Sequence, residues 1–120
     1  MRKRVLIVED DEQNLYLATF LLKKNGYEVI AARNGFEGIE KAKAERPDLI
    51  LMDMQLPEMD GYEATKLIKG IDEISRIPII AVTSYAMVGD REKVLAAGCV
   101  GYIEKPIEPD TFVSEIERNI

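Results

Sequence analysis

The chain has 120 residues, enough for one domain with a real core, and its 47% hydrophobic content is ordinary for a globular protein. Asp and Glu number 22 against 16 Lys and Arg, and a net charge of -6 argues against binding through nucleic-acid phosphates. The sequence has no histidine, which excludes a Ser/His or Cys/His nucleophilic system, histidine metal ligands and a phosphohistidine formed within the chain.

The opening Met1-Arg2-Lys3-Arg4 precedes an apolar run that stops at Val8 and meets acids. It is too short for a signal peptide or a membrane span, so a cytoplasmic protein is expected. The single cysteine, Cys99, allows no internal disulfide and reads as a small buried hydrophobe.

Taken in order, the chain alternates strand and helix patterns. Val5 to Val8 is an aliphatic run, after which Glu9-Asp10-Asp11 opens a helix lasting to about Lys24. Leu15, Leu17, Ala18, Leu21 and Leu22 share one broad face of it, and Asn25-Gly26 is a stop signal. Tyr27 to Ala31 reads as a second strand. Asn34-Gly35 turns the chain into a second helix with Phe36, Ile39 and Ala42 on its inner side, ending before Pro47. Leu49 to Met52 is an unbroken apolar run between Pro47 and Pro57, hence a strand buried on both faces, and Asp53 follows it at once. A carboxylate at that strand end can point into a cleft, whereas one inside the strand would be buried at high cost.

After Gly61 a third helix places Ala64, Leu67, Ile68 and Ile71 on one side. Ile79 to Val82 is the fourth strand, ending at Thr83-Ser84, and a fourth helix lies around Met87 to Ala97, closed by Gly98. Val100 to Ile103 makes a short fifth strand, followed by Glu104-Lys105-Pro106. The last helix, Pro109 to Asn119, carries Phe112, Val113, Ile116 and Ile120 on one stripe, with proline suited to its first turn. Five such units predict one α/β domain over 1–120, a three-layer (βα)5 doubly wound parallel sheet.

Polar residues follow the strands: Glu9, Asp10 and Asp11 after the first, Asp53 after the third, Thr83 and Ser84 after the fourth, Lys105 after the fifth. Ligands of open parallel sheets bind outside the strand carboxyl ends where the strand order reverses, so these side chains converge. Carboxylates a few ångströms apart repel by on the order of 4 kcal/mol per pair at an effective dielectric near 20. They call for a cation, and an all-oxygen donor set suits a magnesium-like ion.

The motifs Val5 to Asp11 (VLIVEDD), Leu51 to Pro57 (LMDMQLP) with Gly61, Val82-Thr83-Ser84, and Tyr102 to Pro106 (YIEKP) together resemble the receiver domain of two-component response regulators, above all the stand-alone, DivK-type members. The resemblance spans nearly the whole chain. It implies the flavodoxin-like strand order 2-1-3-4-5 and a switch that catalyses its own phosphorylation and slow autodephosphorylation, with no external turnover substrate. It makes Asp53 the phosphoryl acceptor from a phosphohistidine on a sensor histidine kinase or histidine phosphotransfer protein. Asp10 and Asp53 become ligands of Mg2+, or of Mn2+ in its place, with Glu9 acting through water and Gln55 through its backbone carbonyl. Thr83, Ser84 and Lys105 become contacts of the phosphoryl oxygens, and the bond before Pro106 is expected to be cis. Thr83 and Tyr102 form the implied switch, read out on the surface of the fourth helix, fifth strand and fifth helix by a downstream protein target. Gln55 and Tyr85 match positions that tune self-dephosphorylation. A monomer is expected, with neither nucleic acid nor membrane as partner, and what is shown holds no output domain.

Blander roles stand beside these. Asp10 and Asp11 suit a helix cap, Thr83-Ser84 a helix-entry turn, Lys105 a solvated surface and Tyr102 simple packing, while Glu58 and Asp60 read as loop solvation. Three rival classes are also set against the switch. A haloacid-dehalogenase-like phosphatase would need Asp where Gln55 stands, a flavodoxin-type flavin carrier would not have an acidic first loop, and a receiver-shaped interaction module would never be phosphorylated.

Overall fold

The computed structural model describes residues 3–84 and 90–120. Tyr85 and the expected start of the fourth helix at Met87 lie outside them. The five apolar runs form strands β1 (Arg4–Val8), β2 (Glu28–Ala32), β3 (Leu49–Asp53), β4 (Ile79–Thr83) and β5 (Gly101–Glu104), all parallel, in the order β2-β1-β3-β4-β5. Helices α1 (Glu12–Lys24), α2 (Gly35–Glu45), α3 (Gly61–Lys69), α4 (Asp90–Ala97) and α5 (Phe112–Arg118) follow them in turn. This is the expected doubly wound sheet.

Its period-two alternation divides the core into two layers. Ile50 and Met52 of β3 join Leu6, Val8, Ile79 and Ala81 against Ala42, Ala64, Ile68 and Val94 of α2, α3 and α4. Leu49 and Leu51 point the other way, with Val5, Ile7, Ile80 and Val82, onto Leu22 of α1 and Phe112 and Ile116 of α5. Each fully buried aliphatic side chain contributes about 1.5–3 kcal/mol relative to exposure, which makes the central strands the part least open to substitution.

The starts of α1, α2 and α3 are set by side-chain caps. Asp11 Oδ1 accepts from the N–H of Gln13 at 2.8 Å and of Asn14 at 3.1 Å, Asn34 Oδ1 from Glu37 N–H at 2.8 Å, and Asp60 Oδ1 from Glu63 N–H at 2.9 Å. Asp60 is therefore a cap rather than a solvated loop acid, and such a cap contributes about 1 kcal/mol.

Several element details differ from the expectation. Phe36 is exposed, because α2 packs through Gly35, Gly38 and Ala42: a Cβ on Gly38 would lie 2.8 Å from Val8 Cγ2, a spacing that leaves no room for a large neighbour. Leu67 and Ile120 are also exposed, and Ile71 packs from the turn that follows the Gly70 cap rather than from α3. β2 is shifted by one residue, so that Ala32 rather than Tyr27 completes it, and β5 begins at Gly101 rather than Val100. Helix α5 begins at Phe112, not Pro109, because Thr111 N–H bonds Glu108 O at 3.2 Å and closes a turn first.

Candidate functional site

The sheet order reverses between β1 and β3, since the chain leaves β1 for β2 on one side and returns to β3 on the other. The register pairs Val8 with Met52, so Glu9 emerges opposite Asp53, and Asp53 in turn pairs with Val82 of β4. Thr83 pairs with Glu104, and the next residue, Lys105, is held by its N–H to Thr83 O at 2.8 Å. Four strand ends thus deliver Glu9, Asp53, Thr83 and Lys105 to one place.

Asp53 is the last residue of β3 rather than the first beyond it, and is buried. That burial is compensated, because Oδ1 accepts the Gln55 N–H at 2.9 Å and Oδ2 the Lys105 Nζ at 3.1 Å. Lys105 Nζ also reaches Glu9 Oε1 at 2.9 Å, while Glu9 Oε2 accepts the Asp11 N–H at 3.1 Å. The lysine bridges two buried acids. It is not the solvated side chain of the blander reading.

Burial raises the Glu9 carboxyl from its usual range to about 7, with the Lys105 ammonium opposing the rise and Asp53 adding to it. Burial draws Lys105 down, but its bond to Glu9 and the charges of Asp53 and Glu9 outweigh this, and its pKa is raised.

Asp10 stays exposed at the mouth, while its neighbour Asp11 turns away to cap α1. The two adjacent acids have separate duties. Carboxylate oxygens of Glu9, Asp10 and Asp53 lie within 4.8 Å of one another, with Lys105 as a counter-charge to two of them. Three hard oxygen donors at that spacing fit a divalent cation of the magnesium class.

Gly61 opens α3 directly beneath this cluster. Its N–H donates to Met54 O at 3.2 Å, and a Cβ there would collide with Asp53 O, so no side chain fits. The Lys105–Pro106 peptide bond is cis. Thr83 is buried, and Ser84 is exposed at the rim. Tyr102 is half-buried against the α2, α3 and α4 layer, paired with Ala81, and lines a groove of about 560 Å³ with Arg91, Glu104, Glu108 and Arg118.

The side chain of Gln55 is the contact that sequence reasoning missed. Its Nε2 donates to Thr83 Oγ1 at 2.7 Å and its Oε1 accepts the Ser84 N–H at 3.1 Å. The pair is separated by 28 residues, and an amide near a strand end carries no sequence signal of such a link.

The family model described as response regulator receiver domain matches residues 5–117. The chain belongs to the response regulator receiver domains. It is 50% identical over 117 residues to the polar-differentiation response regulator DivK of Brucella anthropi, covering 98% of this chain and 95% of the relative, and 48% identical to its counterpart in Brucella ovis over the same shares. Among solved structures, the chemotaxis response regulator CheY4 of Vibrio cholerae superposes with a TM-score of 0.94 at 28% identity, over all of both chains. The receiver domain of a sensor histidine kinase from Pseudomonas aeruginosa PAO1, whose structure has a magnesium ion coordinated in its active site cleft, gives a TM-score of 0.88 at 36% identity over 98% of this chain and 97% of that one. As a receiver domain, the chain is a module of two-component signalling. No helix among the described residues is long and apolar enough to cross a membrane.

Proposed function

We propose that this receiver domain is a phosphoacceptor switch in which Asp53 takes a phosphoryl group from a phosphohistidine of a sensor histidine kinase or histidine phosphotransfer protein. The observation that carries the reading is a buried carboxylate at a strand end, held from one side by a backbone N–H and from the other by a lysine, beside two further acids. An Asp53 oxygen attacks phosphorus in line, the P–O bond forms as the P–N bond breaks, and the imidazole leaves with the electron pair. Lys105 lies close enough to follow the negative charge from the carboxylate to the phosphoryl oxygens, and Thr83 and Ser84 supply hydroxyl and N–H donors on the β4 side.

Magnesium fits the donor set, with Asp10 and Asp53 as direct ligands, Glu9 through water and the Gln55 carbonyl completing the protein's share. When bound it supplies the positive charge that offsets repulsion between the acids and the entering phosphoryl group. Manganese, with the same preference for oxygen, substitutes. The Asp53 side chain goes from one negative charge to nearly two, now spread over phosphoryl oxygens further into the cleft, and Thr83 responding to them alters the packing around Tyr102 on the surface of α4, β5 and α5. In this reading a monomeric cytoplasmic protein controls a downstream protein target, with neither nucleic acid nor membrane as partner.

Mass spectrometry before and after incubation with acetyl phosphate and magnesium tests it. One added phosphoryl group on Asp53, lost in Asp53→Ala while that variant still folds, is the expected result. Stoichiometric labelling elsewhere moves the acceptor. No labelling, from acetyl phosphate or from a phosphohistidine donor, leaves a receiver-shaped interaction module.

A further inference from the structure

The side chain of Gln55 crosses from the loop after β3 to the end of β4. Its Nε2 donates to Thr83 Oγ1 at 2.7 Å, and its Oε1 accepts from the Ser84 N–H at 3.1 Å and from Ser84 Oγ at 3.4 Å. A backbone N–H can only donate, so turning the amide over would set two donors face to face, and the orientation of the carboxamide is fixed by chemistry. An oxygen acceptor therefore already sits on the Ser84 donors. Asp53 lies close by, because it pairs with Val82 two residues before Ser84 and takes the N–H of Gln55 itself.

We propose that the Gln55 side chain is an internal placeholder, occupying in the resting protein the Ser84 N–H that a phosphoryl group on Asp53 has to recruit, while its Nε2 tethers the Thr83 hydroxyl through the oxygen. This rests on the phosphoacceptor reading above. A neutral amide oxygen is a weaker acceptor than a charged phosphoryl oxygen, so the phosphoryl group wins the exchange once it arrives. Until then the amide lowers the fraction of molecules ready to receive it, and apparent affinity falls by that fraction. The net worth of one such bond corresponds to a factor of about ten.

A strut that merely stiffens the site predicts the opposite sign, since removing it would loosen the donors and weaken binding. Beryllofluoride with magnesium, a tetrahedral stand-in for a phosphoryl group on a carboxylate, is titrated into the wild type, Gln55→Ala and Gln55→Met, with binding read from fluorine and amide magnetic resonance. Both variants are expected to bind about tenfold tighter than the wild type. In the metal-free protein the Ser84 amide is expected to exchange its hydrogen several-fold faster in both variants. Binding that is equal to or weaker than wild type in both, or tighter in Gln55→Ala alone, overturns the placeholder and leaves the phosphoacceptor reading intact. No binding in any of the three overturns both.

Discussion

Replacing Lys105 by Met keeps the apolar stem and removes the ammonium group between Glu9 and Asp53. At an effective dielectric near 20, opposite unit charges 2.9 Å apart attract by roughly 5.5 kcal/mol, and like charges 4.8 Å apart repel by roughly 3.5 kcal/mol, before desolvation is counted. Lys105 makes two contacts of the first kind, which together offset most of the mutual repulsion of the three acids. Removing one partner of a buried pair costs about 3–5 kcal/mol, which for a chain of this size lowers the thermal midpoint by roughly 12–20 °C at about pH 8 with chelator present. The deficit depends on pH with a definite sign. Glu9 carries a folded-state pKa of about 7, raised above its ordinary value of 4.5, so the folded chain binds the extra proton. The stability linked to that proton is full below about 4.5 and is lost as pH rises through about 7. Without Lys105 the Glu9 carboxyl is raised further, and the gap between variant and wild type narrows as the pH falls from about 8 to about 5. Thermal unfolding followed by circular dichroism across that range measures it. A gap of the same size at both ends, or a loss under about 3 °C at the upper end, refutes the electrostatic account of the site.

Magnesium is expected to raise the thermal midpoint of the wild type by linkage, and to raise that of Asp10→Ala by clearly less. Equal shifts in a calorimetric titration would remove Asp10 from the cation site. Asp11→Ala, which loses the cap of α1, should cost about 1 kcal/mol in chemical denaturation yet keep the full magnesium shift, and a reduced shift would contradict the division of labour between the adjacent acids. Gly38→Ala forces a methyl against Val8 Cγ2 and should cost about 1–3 kcal/mol, whereas Gly70→Ala meets nothing closer than 3.5 Å and should be neutral or slightly stabilising. Matching urea midpoints for the two glycine variants would show that α2 yields more readily than its packing implies.

Elements whose apolar pattern is continuous were legible from the sequence, because a strand buried on both faces has no polar position to blur it. β3 and β4 are of this kind, and with them came Asp53 and Thr83. Patterns failed where small residues govern packing: the inner face of α2 is made of glycine and alanine, so Phe36 looked like core and is not. The start of α5 was hidden because Pro109 suits a helix's first turn and a preceding turn equally well. At the site, residue types and order gave the acids and the lysine, but not their bonding. That Lys105 pairs with Glu9, that Asp11 caps while Asp10 does not, and that the Gln55 amide reaches Thr83 all depend on register between distant strands. No local pattern encodes it.

The missing side chain at Gly61 has a mechanical consequence. With its hydrogen facing the Asp53 carbonyl and its N–H bonded to Met54 O, the first residue of α3 is seated on the backbone that bears Asp53, and Met54 N–H is itself fastened to Val82 O at 3.0 Å. Asp53, the start of α3 and the central strand are therefore tied together through backbone contacts with no side chain between them. Rearrangement around Asp53 falls to groups across the cleft, at the ends of β4 and β5, and α3 serves as the anvil against which they shift.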